Sequence, residues 1–171
     1  AQLSCHALKT LFPPIPTLSE VVKAFGRNLH LMIEIKSQPW PDPPRQNRRL
    51  QEILSGMEPS KDFHLLCLHP RALTPLEGFP PHARVVVSEY GPELRSRWIQ
   101  RRRWGGLCGH YLLLRSAVIR AFHRNGQKVG TGYIRSANAL FREINRGVDW
   151  IFSNHAVQLQ QLVNANLANH P

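Results

Sequence analysis

A chain of 171 residues with 42% hydrophobic content is long enough to bury the core of one domain, and its composition excludes a disordered polymer. A formal net charge of +11 favours a polyanionic partner or an anionic substrate, and no run is long or apolar enough to cross a bilayer. Three widely spaced cysteines, Cys5, Cys67 and Cys108, make neither a disulfide framework nor a zinc site, and they fit a reducing, cytoplasmic setting.

The basic residues are spread out. Their densest spots, Arg45-Arg48-Arg49 and Arg95 to Arg103, carry no aromatic interleaving, so they are expected on solvated helix faces and helix C-termini. No nucleic-acid partner is expected from them. No leader pattern is visible. Because the chain opens on Ala1 rather than Met, its native start can lie elsewhere.

In chain order, Pro-rich 13–16 reads as a loop. Thr17 and Glu20 then form a T-x-x-E capping box ahead of Leu18, Val21, Val22 and Phe25, with Gly26 as the stop. LHLMIEIK at 29–36 reads as a buried strand. Alternation puts Leu29, Leu31, Ile33 and Ile35 on one face and His30, Met32, Glu34 and Lys36 on the other. Glu34 and Lys36 therefore point the same way, about 6–7 Å apart. Burying such charges is costly unless they are paired or bound to something. One reading is an ion pair that closes the strand. The other is a carboxylate for a metal and a lysine for a phosphate. The Pro-rich stretch 39–44 reads as the loop that follows.

A second helix is marked by Leu50, Ile53, Leu54 and Met57. Strands follow at 63–69 and 84–90, then a helix at Leu94, Trp98 and Ile99, and a strand at 105–111. Val118, Ile119 and Phe122 mark a helix ended by Asn125-Gly126, before a strand at 127–134. Ser136 caps a helix with Leu140, Phe141 and Ile144, ended by Gly147. A last strand at 148–153 precedes a helix with Leu159, Leu162 and Val163. Cys67 and Cys108 fall inside strands as small buried hydrophobes.

Five or six strands alternating with helices imply an α/β fold with parallel pairing, occupying 1–171 as a single domain. A closed (β/α)8 barrel needs about 200–250 residues or more, so the chain makes either an open parallel sheet or the last two-thirds of a barrel. His69, Glu89 and His110 lie at C-terminal strand ends, where barrel sites collect. The plainer reading of each is a polar loop residue or a hydrogen-bonded core histidine. His64 and His123 read as structural or surface residues, and Asp149 has no assigned role. No Ser-His-Asp order, Gly-rich phosphate loop or zinc spacing is present, and GTG at 130–132 is too short for a dinucleotide fingerprint.

Four segments in order carry a family resemblance: IPTLSEVV (15–22), LMIEIK (31–36), NGQKVGTGYI (125–134) and NRGVDWIFSN (145–154). From Ile15 to about Val163 the chain resembles the glycerophosphodiester phosphodiesterases. The resemblance implies a TIM-barrel-type (β/α) array, incomplete here. It also implies hydrolysis of glycerophosphodiesters to an alcohol and glycerol 3-phosphate, in lipid and glycerol metabolism, with a divalent metal, Mg²⁺ or Ca²⁺. It makes Glu34 a metal ligand and Lys36 a phosphate contact, which suits the preference of hard cations for carboxylates and of phosphate for ammonium. His69, Glu89 and His110 become candidates for substrate binding.

The departures are equally specific. The family's H-R-G, E-x-D and H-D segments have no counterpart. His6 is not followed by Asp, the W-T-V-N segment reads Gly132-Tyr133-Ile134-Arg135, and the closing T-D reads Ser153-Asn154. The acid–base histidines are therefore expected upstream of Ala1, and this segment alone is expected to be inactive. Its open sheet edges should be covered by further chain or by a second copy. The rival expectation is a non-catalytic, degenerate barrel module. It would bind anionic ligands, lipid headgroups or nucleic acid through its basic surface.

Overall fold

The computed structural model describes residues 15–36, 42–74 and 76–169. The expectations placed on Cys5, on His6, on Pro13 and Pro14, and on the loop residues 39–41 lie outside those residues. One sheet of six parallel strands runs in sequence order. The strands are β1 (Leu31–Glu34), β2 (Phe63–Cys67), β3 (Arg84–Ser88), β4 (Gly106–His110), β5 (Lys128–Gly132) and β6 (Trp150–Phe152). The helices are α1 (Leu18–Phe25), α2 (Pro43–Leu54), α3 (Pro92–Arg101), α4 (Ser116–Arg124), α5 (Ala137–Asn145) and α6 (Ala156–Asn169). Among the described residues no helix is long and apolar enough to cross a membrane.

Local chemistry sets the helix ends. Thr17 Oγ1 accepts from the Glu20 amide while the Glu20 carboxylate accepts from the Thr17 amide, so the capping box closes on both sides. Asp42 and Ser136 cap α2 and α5 in the same manner, through the amides of Arg45 and Ala139. Gly126 and Gly147 follow α4 and α5 at φ 68° and 78°, a left-handed turn that a side chain would resist.

Three expectations are corrected. Pro43 and Pro44 are not loop residues but the first turn of α2, where a missing amide hydrogen costs nothing. Among the described residues the β2-to-β3 crossover holds two 3-10 turns, Pro70–Leu73 and Pro81–Ala83, and no α-helix. The strand around Glu34 is not buried: among the described residues β1 pairs only with β2, and Leu31, Met32 and Ile33 are half-buried while Glu34 is exposed.

The sheet is curled into a partial barrel. Trp150 of β6 meets the His64 ring of β2 edge-on at 4.8 Å and stacks on His30, just before β1, at 6.4 Å. Side chains from the two ends of a flat six-stranded sheet could not meet, since neighbouring strands are ~4.8 Å apart. The outer face packs Phe63, Leu65, Val86, Leu107 and Val129 into one core with Ile99, Ile119 and Phe122 of the helices. The inner face carries Met32, Leu66, Val85, Cys108, Trp150 and Phe152. Each such side chain, fully buried, contributes about 1.5–3 kcal/mol.

Candidate active site at the C-terminal strand ends

The inner face opens at the C-terminal ends of the strands into a cleft of about 700 Å³. Its floor is apolar, built from Met32, Leu66, Val87, Cys108 and Phe152. Its rim is polar: Glu34, Ser88, Glu89, His110, Tyr133, Arg135, Ser153, Asn154 and His155. Period-two alternation explains the split, because every second residue of a parallel strand faces inward and the last one reaches the mouth.

Glu34 ends β1, and its carboxylate accepts a hydrogen bond from Lys36 Nζ at 2.7 Å. Their side chains are 40% and 77% exposed, so this is a solvent-screened pair worth about 0–1 kcal/mol. Such a pair can be exchanged for a ligand cheaply. Lys36 itself does not line the cleft and reaches it only through Glu34.

His110 ends β4. Its Nδ1 accepts from the Leu112 amide at 3.1 Å, so the neutral ring carries its proton on Nε2. Tyr111 and Tyr133 each stack on the ring at 4.9 Å, with interplanar angles of 20° and 24°. The imidazole is thereby held in place as a hydrogen-bond donor. Tyr133 sits at φ 68°, a left-handed conformation that costs a non-glycine residue about 1–2 kcal/mol. The stack on His110 helps to hold it there.

The sequence candidates separate in space. Glu34, Glu89 and His110 line one cleft, whereas His69 lies outside it. His69 is exposed and starts the 3-10 turn after β2, with its amide on Cys67 Sγ at 3.4 Å. Asp149 accepts from the Val129 amide at 2.8 Å and from His123 Nε2 at 2.9 Å, a structural tie between β5, β6 and α4. Burial pushes the thiols of Cys67 and Cys108 up, so neither supplies a thiolate nucleophile. Tyr133, Arg135, Ser153, Asn154 and His155 belong to the mouth although none was singled out as a site residue. Tyr133, Arg135, Ser153 and Asn154 fall where the chain departs from two family segments, and that placement, directly after β5 and β6, is their signal; His155 has position alone.

Among the described residues no three His, Cys, Asp or Glu side chains converge on one point that could hold a metal ion. Glu34 and Glu89 supply carboxylates to the cleft, but the described residues do not make up a full set of ligands.

No family model and no curated protein matches the chain. Solved structures do. A protein of Galdieria sulphuraria assigned as a glycerophosphodiester phosphodiesterase superposes with a TM-score of 0.80 at 20% identity, over 95% of this chain and 71% of that one. The glycerophosphodiester phosphodiesterase of Thermotoga maritima gives 0.69 at 18% identity, over 95% and 69%. An Oleispira antarctica phosphodiesterase in complex with its product sn-glycerol-3-phosphate gives 0.68 at 18% identity, over 88% and 62%. The chain thus spans 62% to 71% of the length of these three structures. At these identities the likeness establishes a shared α/β-barrel fold.

Proposed function

We propose that this chain carries part of the active site of a phosphoric diester hydrolase that cleaves glycerophosphodiesters to an alcohol and glycerol 3-phosphate. The observation that carries the reading is the Glu34–Lys36 pair after β1, whose Glu34 stands on the rim of the cleft that His110 shares. In this reading an incoming phosphate takes over Lys36 from Glu34, and His110 donates from Nε2 to a phosphate oxygen. The apolar floor keeps water from the far side of the diester. A divalent ion, Mg²⁺ or Ca²⁺, is the cofactor the family resemblance implies, with Glu34 as one ligand. The acid–base histidines would come from outside this chain, which alone would turn over little or no substrate. A reducing, cytoplasmic setting suits the buried free thiols of Cys67 and Cys108. The rival reading, a non-catalytic anion-binding module, draws on the same pair, since Glu34 is already satisfied internally.

Titrating the protein with sn-glycerol 3-phosphate, followed by the ³¹P signal, tests the site. Saturable binding is expected, weakened roughly tenfold by Lys36→Met through loss of one charge-assisted contact. No saturable binding, or equal binding by the variant, would overturn the reading.

A further inference from the structure

We propose that the rim of this cleft is a docking surface for an anionic lipid bilayer. The inference goes beyond the hydrolase reading and does not need it.

Of the eleven exposed large apolar side chains among the described residues, five gather at one end of the sheet, and the other six lie on or beside α1, α5 and α6. Tyr90, Leu112, Tyr133 and Val157 are 82%, 65%, 60% and 74% exposed, and Leu113 is 45% exposed. They sit on the segments that leave the C-terminal ends of β3, β4, β5 and β6, so four successive strands each raise an apolar group beside the cleft mouth. The stacks of His110 on Tyr111 and Tyr133 join the β4 and β5 segments into one surface. Exposed apolar tips set around a polar-rimmed mouth mark an interaction site.

Loose packing does not explain it. The turn after β4 is closed by the amides of Leu113 and Leu114 on the His110 carbonyl. From beneath, Arg146 donates to the Leu114 carbonyl and to Ser116 Oγ. Arg146 is itself fixed by the fully buried Glu143, donating to both carboxylate oxygens at 2.8 Å. A braced turn that buries Leu114 and turns Leu112 and Leu113 outward presents them in a set orientation. Polar residues would fit there at no cost to the fold.

Charge selects the partner. The same end carries exposed Lys36, Arg45, Arg71 and Arg135, on a chain of net charge +11. Its acids are Glu34, paired with Lys36, Asp42, the cap of α2, and exposed Glu89 on the rim, which leaves Arg45, Arg71 and Arg135 as the basic groups that face outward. Basic groups around apolar tips and tyrosines match the headgroup boundary of an anionic bilayer. Two copies of so basic a chain repel. The tips also stand on separate segments around an opening, three loops and the first turn of α6, which suits a flat surface better than a single helix or strand.

Co-sedimentation with phosphatidylcholine vesicles, with and without phosphatidylglycerol, tests the proposal. The protein should bind the anionic vesicles at least ~10-fold more tightly, and added salt should weaken but not abolish this. Leu112→Ser with Leu113→Ser should lower binding roughly tenfold with the thermal midpoint nearly unchanged, and Tyr90→Ser, on a different loop, should lower it independently. Binding with no preference for anionic vesicles, absence of binding, or full binding by both variants would overturn the proposal. So would a dimer in gel filtration that the leucine variant dissolves, which would assign the surface to a second copy.

Discussion

His64 is a histidine turned into the barrel. It is 1% exposed and accepts or donates at Nδ1 to His30 Nε2 at 2.8 Å, with Trp150 against its ring. Burial first, then the nearby His30, Lys128 and His82, pulls its pKa down to about 3. The unfolded chain protonates this residue near pH 6.5, so between about 6.5 and 3 the unfolded state holds more protons. Stability from this group is complete above pH 6.5 and is lost as the pH falls toward 3. Urea unfolding at pH 7 and pH 5 should show an acid loss that is about 2 kcal/mol smaller in His64→Leu than in the parent. Identical pH dependence in both would contradict the depressed value. Strand alternation alone puts Glu34 and Lys36 on one side, and the two do pair there, but only Glu34 lines the cleft. Tyr133 was not readable, because nothing in Gly132-Tyr133-Ile134 announces a left-handed residue that stacks on a histidine from another strand. His69 was misplaced into the cleft because a strand end was counted and the turn beyond it was not.

At the scale of elements, the barrel interior leaves no room at Gly130 of β5. A Cβ there would meet Cys108 Sγ at 2.6 Å and Phe152 Cε2 at 2.8 Å, on the strands either side. Gly130→Ala should therefore destabilise by about 1–3 kcal/mol, read as a fall of several degrees in Tm. An unchanged Tm would mean that the inner face is looser than described. Helix starts were legible because Thr17 and Ser136 act within their own turns, where sequence and structure coincide. The packed side of α5 was not. Apolar spacing pointed to Ile144, yet Ile144 is 40% exposed while Glu143 is buried between Arg142 and Arg146. A carboxylate can take a core position when two guanidiniums satisfy it, and periodicity of apolar residues is blind to that. The missing helix between β2 and β3 has a simpler cause. Proline at 70, 80 and 81 favours short turns where a crossover helix would otherwise form.

For the whole molecule, the alternation of strands and helices carried the parallel order from β1 to β6 and the curl toward a barrel. Each strand came out shorter than its apolar run, because the flanking residues turn toward helices or the cleft mouth. β1 and β6 each have one partner among the described residues, so both edges keep unpaired backbone groups. That openness made Glu34 exposed, which a burial argument drawn from an apolar run could not foresee. The cleft's polar rim over an apolar floor emerges only when six strand ends are brought together. Cleavage of a glycerophosphodiester at this rim, as proposed, is checked by measuring glycerol 3-phosphate released from glycerophosphocholine by the intact protein carrying this chain, with added Mg²⁺ or Ca²⁺, beside its Glu34→Gln variant. Release should fall by ~100-fold in the variant; no release from the parent, or a variant that matches it, would contradict the proposed role of the cleft.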